Sequence, residues 1–147
     1  MSCVIISDSL ENRKNFLETS FKKTANLRRH ESIFPDHPQF KKVFQFIEEN
    51  YYKPIALVDV AQAVGYSPAY LTSLVKSQTK RTIFSWVVER RMLEARYLLL
   101  DTNQSVTQIA TAVGYPDSCY FSRRFRQIHK ISPQEWRNGH RTKESVQ

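Results

Sequence analysis

The chain has 147 residues, with 22 Lys and Arg against 14 Asp and Glu, a net charge of +8. That length holds one domain, or one domain plus an arm, and is too short for a large enzyme. An apolar fraction of 41% with 24% charged residues suffices for a core and is ordinary for a soluble protein, which excludes wholesale disorder. No run approaches the ~18 apolar residues of a membrane span, and the first residues have no basic lead for a signal peptide. The expected location is therefore the cytoplasm, with no membrane partner.

Cys3 and Cys119 read as free thiols, since two cysteines alone supply neither a disulfide framework nor a thiolate zinc site. His30, His37, His129 and His140 show no i,i+4 pairing, so neither a metal nor a cofactor is expected. The positive charge favours a polyanionic partner, nucleic acid ahead of an anionic membrane. It is unevenly placed: residues 1–39 are close to neutral, and residues 40–147 carry a net +7.

In chain order, residues 12–29 form a weakly periodic stretch in which Phe16, Leu17, Phe21 and Leu27 line one possible helix face. Pro35 and Pro38 then mark an extended linker. Phe40, Val43, Phe44, Ile47 and Tyr51 recur at helical spacing and predict a core-facing helix that ends near Tyr52, before Pro54. The domain proper begins there.

An internal repeat follows. LVDVAQAVGY at residues 57–66 pairs with VTQIATAVGY at residues 106–115, with five identities at an offset of 49. Tyr70, Lys80 and Trp86 then pair with Tyr120, Lys130 and Trp136 at an offset of 50. Each copy reads as helix, tight glycine turn, helix. Leu57, Val60, Ala61 and Val64 form one core face, Gly65 ends the helix, and Ser67-Pro68 caps and opens the next, on which Leu71, Leu74 and Val75 face the core. In the second copy Ile109, Ala110 and Val113 precede Gly114, and Phe121 and Phe125 face the core. At i and i+4 opposite a polar face, those two rings read as core rather than as a platform for single strands, as do Trp86 and Trp136. This is helix-turn-helix grammar, the second helix of each pair being the reader.

Between the copies, residues 82–101 hold no Gly or Pro and predict one continuous helix with an apolar face wide enough for both halves. Ser105 to Gln108 and Ser132 to Glu135 have capping-box form, so a short final helix carries Trp136. No strand pattern competes, and the fold is read as all-α: two helix-turn-helix subdomains, homeodomain-like units, joined by a long central helix.

With two such copies, and with GYPDSCYFSRRFR at residues 114–126 followed by SPQEWR at residues 132–137, the chain resembles the DNA-binding domain of the AraC/XylS family of transcription regulators. The resemblance covers residues 40–138, leaving residues 1–39 as an N-terminal arm and 139–147 as a tail. It implies about seven helices and a sequence-specific regulator that sets two recognition helices into adjacent major grooves of double-stranded DNA. It places base contacts on Ala69, Thr72 and Ser73 of the first reader and on Ser118, Cys119 and Arg123 of the second, with Ser122 toward phosphate. Arg123 suits guanine O6 and N7, and Ala69 and Thr72 suit a thymine methyl. Lys76, Arg124, Arg126 and Lys130 would position rather than specify. RNA polymerase enters as a partner through the resemblance alone.

Three departures stand out. Lys80 and Lys130 occupy places where the family often has Gly, so either the cap differs or both lysines are kept there for backbone contact. Ala56 replaces a usual capping Ser or Thr. The first reader carries small neutral residues at its base positions.

The expected protein is not an enzyme, since no phosphate loop, Ser-His-Asp spacing or isolated carboxylate pair stands out. It binds DNA as a monomer or weak dimer. The alternative is the C-terminal module of a larger signal-responsive regulator, whose N-terminal arm serves protein interaction or dimerisation. Thirty-nine residues cannot build a sensor domain, which leaves a stand-alone regulator and a tail of a longer protein both open.

Overall fold

Extended backbone at His37 leads into a 3-10 turn, Pro38–Phe40, which buries the Phe40 ring and starts the helical region. The computed structural model describes residues 33–144, so the helix face expected within residues 12–29 lies outside the described residues. Seven α-helices follow: α1 Lys41–Asn50, α2 Leu57–Val64, α3 Pro68–Thr79, α4 Ile83–Asp101, α5 Val106–Ala112, α6 Ser118–His129 and α7 Pro133–Glu144. Among the described residues there is no strand. All seven helices lie in one unit that begins at Asp36.

The helices form where the side chains provide caps. Ser67 accepts from Tyr70 N at 3.2 Å to open α3, and Thr82 accepts from Ser85 N at 3.1 Å to open α4. Both capping boxes close: Ser105 with Gln108 at 2.9 and 3.1 Å, and Ser132 with Glu135 at 3.0 and 3.2 Å. Ala56 has no acceptor to offer, but the Asp59 carboxylate takes the Ala56 N–H at 2.8 Å, which completes half of a box on α2.

Helix α2 packs between α1 and α3, and both of those pack on α4; α5 and α7 also pack on α4, with α6 held against α5 and α7. Trp86 of α4 meets Phe44 of α1 edge on, with ring centroids 5.6 Å apart. Farther along α4, Val88, Met92, Ala95, Leu98 and Leu99 join Ile109, Val113, Phe121, Phe125 and Trp136 in the second core. A single helix of 19 residues, about 28 Å long, thus belongs to both halves.

Leu57 does not sit in the core as expected; it is 38% exposed. It opens α2 one turn ahead of buried Val60 and Ala61, and a helical side chain leans toward the N-terminus, which carries Leu57 past the packed face. Val64 and Leu74 are half-buried.

Three arginines lie in this interior. Arg90, 4% exposed, forms a bidentate pair with Glu48 of α1 at 2.7 and 2.8 Å, bonds Glu94 at 3.2 Å, and rests 4.2 Å over the Tyr51 ring. Burial raises the Glu94 carboxyl above its ordinary value, and Arg90 works against that rise. Arg91 donates to Tyr51 O and Lys53 O at 2.7 and 2.9 Å, and Arg137 donates to the carbonyls of Leu99, Thr102 and Gln104. Each of the last two satisfies carbonyls left open where a helix ends.

Candidate nucleic-acid interface

Each reader helix is set by the turn before it. Gly65 (φ 78°) ends α2 and Gly114 (φ 104°) follows α5, both in the positive-φ region that glycine enters without cost. Leu71 and Val75 pin α3 to its core, and Phe121 and Phe125 pin α6, all four fully buried. The opposite faces are left outward.

On α3, Ala69, Thr72, Ser73 and Lys76 are all exposed. The Thr72 hydroxyl donates back to Pro68 O at 2.8 Å, which leaves its methyl and the acceptor side of its oxygen available to a ligand. On α6, Cys119, Arg123 and Arg126 are exposed, while Ser118 and Ser122 are half-buried. No ion pair among the described residues engages Lys76, Arg123 or Arg126. Their charge is therefore open to a polyanion. Arg124 is half-buried and reaches Gln127 at 3.4 Å, the residue one turn beyond Arg123 on the same side of the helix.

The two readers are chemically unequal. Helix α6 holds three arginines and no acid, and α3 holds one lysine. Helix α3 has the neutral Ser67 at its N-cap; α6 has Asp117, which accepts from Cys119 N and Tyr120 N at 2.9 and 3.3 Å. Asp117 sits beside Pro116, where the repeat offset changes from 49 to 50.

Both reader helices end on lysine. Lys80 (φ 62°) and Lys130 (φ 71°) hold left-handed caps without glycine. Such a conformation costs a non-glycine residue about 1 kcal/mol. The Lys130 ammonium lies 3.4 Å from Gln127 O at the negative end of α6.

Behind α6, His129 stacks on Phe125 with centroids 3.9 Å apart, and its Nδ1 lies 3.1 Å from Phe125 O. Its Nε2 stands 2.9 Å from Arg96 of α4, an arrangement that suits a neutral imidazole accepting from the guanidinium. Burial holds His129 below its ordinary value; the Phe125 carbonyl opposes this, and Arg96 and His140 add to it. His140 in turn stacks on Trp136.

A role that sequence periodicity does not reveal falls to Arg91 and Arg141. They extend the repeat at the offset of 50 that relates Trp86 to Trp136. Arg91 bonds the carbonyls of Tyr51 and Lys53, and Arg141 bonds those of Leu100 and Thr102, the equivalents at an offset of 49. Arg91 thus anchors the end of α1 and Arg141 the end of α4, the helix that precedes each helix-turn-helix. Neither lies on the reader faces.

Two helix-turn-helix units on a shared helix, each with an outward reader bearing exposed cations, define a double helix-turn-helix DNA-binding module. Comparison with known proteins agrees. A family model described as a helix-turn-helix domain matches residues 60–139. The regulatory protein PocR of Salmonella typhimurium is 33% identical over 103 residues, covering 70% of this chain and 34% of PocR. The arabinose operon regulatory protein of Escherichia coli is 32% identical over 119 residues, covering 77% of this chain and 41% of that protein. A solved structure from Chromobacterium violaceum, a transcriptional regulator described by its AraC-type DNA-binding domain, superposes with a TM-score of 0.65 at 31% identity, over 69% of this chain and 90% of that one. The chain belongs to the AraC/XylS family and carries its DNA-binding domain. It spans well under half the length of PocR and of the arabinose regulator. Among the described residues no helix is long and apolar enough to cross a membrane.

Proposed function

We propose that residues 40–138 bind double-stranded DNA sequence-specifically and regulate transcription, with α3 and α6 entering adjacent major grooves. The observation that carries this reading is the pair of exposed reader faces, with Lys76, Arg123 and Arg126 in none of the close ion pairs among the described residues. Arg123 reads a guanine, the Thr72 methyl and Ala69 meet thymine methyls, and Ser73, Ser118 and Cys119 line the base edges. Ser122, Lys76 and Arg126 hold the backbone. Because α6 is the more basic helix and α3 presents small neutral groups, α6 supplies most of the affinity and the site is asymmetric within one protomer.

In this reading the protein performs no catalysis, works in the cytoplasm as a monomer or weak dimer on DNA, and meets RNA polymerase at the promoter. Residues 1–39 act as an arm and residues 139–147 as a tail. Selection of duplexes from a random pool tests the assignment. The native protein should return a non-palindromic motif, and Arg123→Ala should flatten one position at a cost of about 1–3 kcal/mol. Equal weakening on all sequences would make Arg123 a phosphate contact, and no enriched motif with the native protein would end the reading.

A further inference from the structure

Gly65 and Gly114 are repeat equivalents, yet their surroundings differ. A Cβ on Gly65 would meet nothing within 4 Å. A Cβ on Gly114 would lie 3.0 Å from Tyr51 O and 3.1 Å from the Arg91 guanidinium. The turn of the second helix-turn-helix is therefore pressed against the end of α1, which belongs to the first. Arg91 occupies the seam: its Nε and Nη2 hold Tyr51 O and Lys53 O on one side, and its guanidinium carbon lies 5.2 Å from the Tyr115 ring on the other. Both partners are buried, Tyr115 at 5% exposure and Arg91 at 8%.

We propose that this seam, made by Arg91, Gly114 and Tyr115 against the carbonyls of Tyr51 and Lys53, fixes the angle between the two reader helices and so sets the half-site spacing the protein accepts. The inference rests on the DNA-binding reading above. A shared helix packed into both cores sets the separation of the units, and the seam adds a direct contact between them that resists rotation of one about the helix axis. Adding one base pair between half-sites turns the second groove by about 35°, a change that a fixed seam cannot follow. Arg91 is a positioning residue; it is buried and touches no reader face. Arg141 is an internal control, because it makes the same kind of helix-end bonds, to Leu100 O and Thr102 O at the end of α4, and none of them reaches the first helix-turn-helix.

The test uses the full chain and the duplex returned by selection, resynthesised with one base pair removed or added between half-sites. The native protein should lose about tenfold or more in affinity on either change, the scale of a mismatched base pair. Arg91→Met should shrink that penalty to below about threefold while keeping the base preferences of each half-site. Tyr115→Leu, which keeps the arginine's bonds to Tyr51 O and Lys53 O and removes the ring, should relax spacing in the same direction and carries the test where Arg91→Met does not fold. Arg141→Met should unfold more easily yet keep the native spacing preference. If the native protein shows a spacing preference that both seam variants retain in full, the inference is overturned while DNA binding stands. Equal relaxation in Arg141→Met would also overturn it, by making the effect one of general loosening. A native protein indifferent to spacing would remove the two-groove reading and the seam with it.

Discussion

Replacing Gly65 and Gly114 with alanine, one at a time, applies the same chemical change at equivalent places of the repeat and separates backbone strain from packing. Both residues have positive φ, 78° and 104°, so each alanine carries the left-handed cost of about 1–2 kcal/mol. At Gly65 nothing else is added, because the new methyl enters open space. At Gly114 the methyl arrives 3.0 Å from Tyr51 O. That carbonyl cannot retreat easily, since Arg91 holds it at 2.7 Å. Overpacking of this kind costs about 1–3 kcal/mol more. Gly65→Ala should therefore cost about 1–2 kcal/mol and Gly114→Ala about 2–5 kcal/mol. Urea unfolding followed by far-ultraviolet circular dichroism measures both, provided the m-value stays at the native figure. Losses that agree to within about 0.5 kcal/mol would refute the close approach between the two halves.

Other outcomes follow from single side chains. Lys76→Ala should weaken selected and random duplexes alike and make the slope of log affinity against log salt shallower by about 1; a loss confined to one base position would assign Lys76 to readout. Lys130→Gly should relieve its left-handed strain and raise stability by about 1 kcal/mol in the same urea assay, and an unchanged midpoint would mean the cap is unstrained. For His129, the folded value lies below the unfolded 6.5, so its contribution is present above 6.5, declines as pH falls through 6.5, and stops declining below the folded value. His129→Gln should remove that share of the acid destabilisation, and identical pH profiles of native and variant would contradict the buried imidazole.

Much of the architecture was legible because caps and turns depend on few residues. Thr82 and Asp101 bound the expected central helix, and the structure places Thr82 as its N-cap and Asp101 as its last residue. The offsets of 49 and 50 located both glycine turns and both reader helices before any coordinates. The faces of α3 and α6 followed from period alone, since a helix with Phe121 and Phe125 inward must turn Arg123 outward. Interior charge was not legible. Arg90, Arg91 and Arg137 read as solvent-facing by hydropathy, and their burial is explained only by distant partners: Glu48 for Arg90, and helix-end carbonyls for the other two. A longer reading of the repeat would have paired Arg91 with Arg141. Leu57 failed for the converse reason, as period places a residue on a face but not within the stretch of that face a neighbour covers.

The central claim is that two readers occupy successive major grooves on one side of a duplex. Hydroxyl-radical footprinting on the selected site measures this directly. The account predicts two separate protected patches on the same face, about one helical turn apart, with the patch assigned to α6 lost first when Arg123 is replaced by alanine. One continuous patch confined to a single groove, or protection on opposite faces of the duplex, would contradict it.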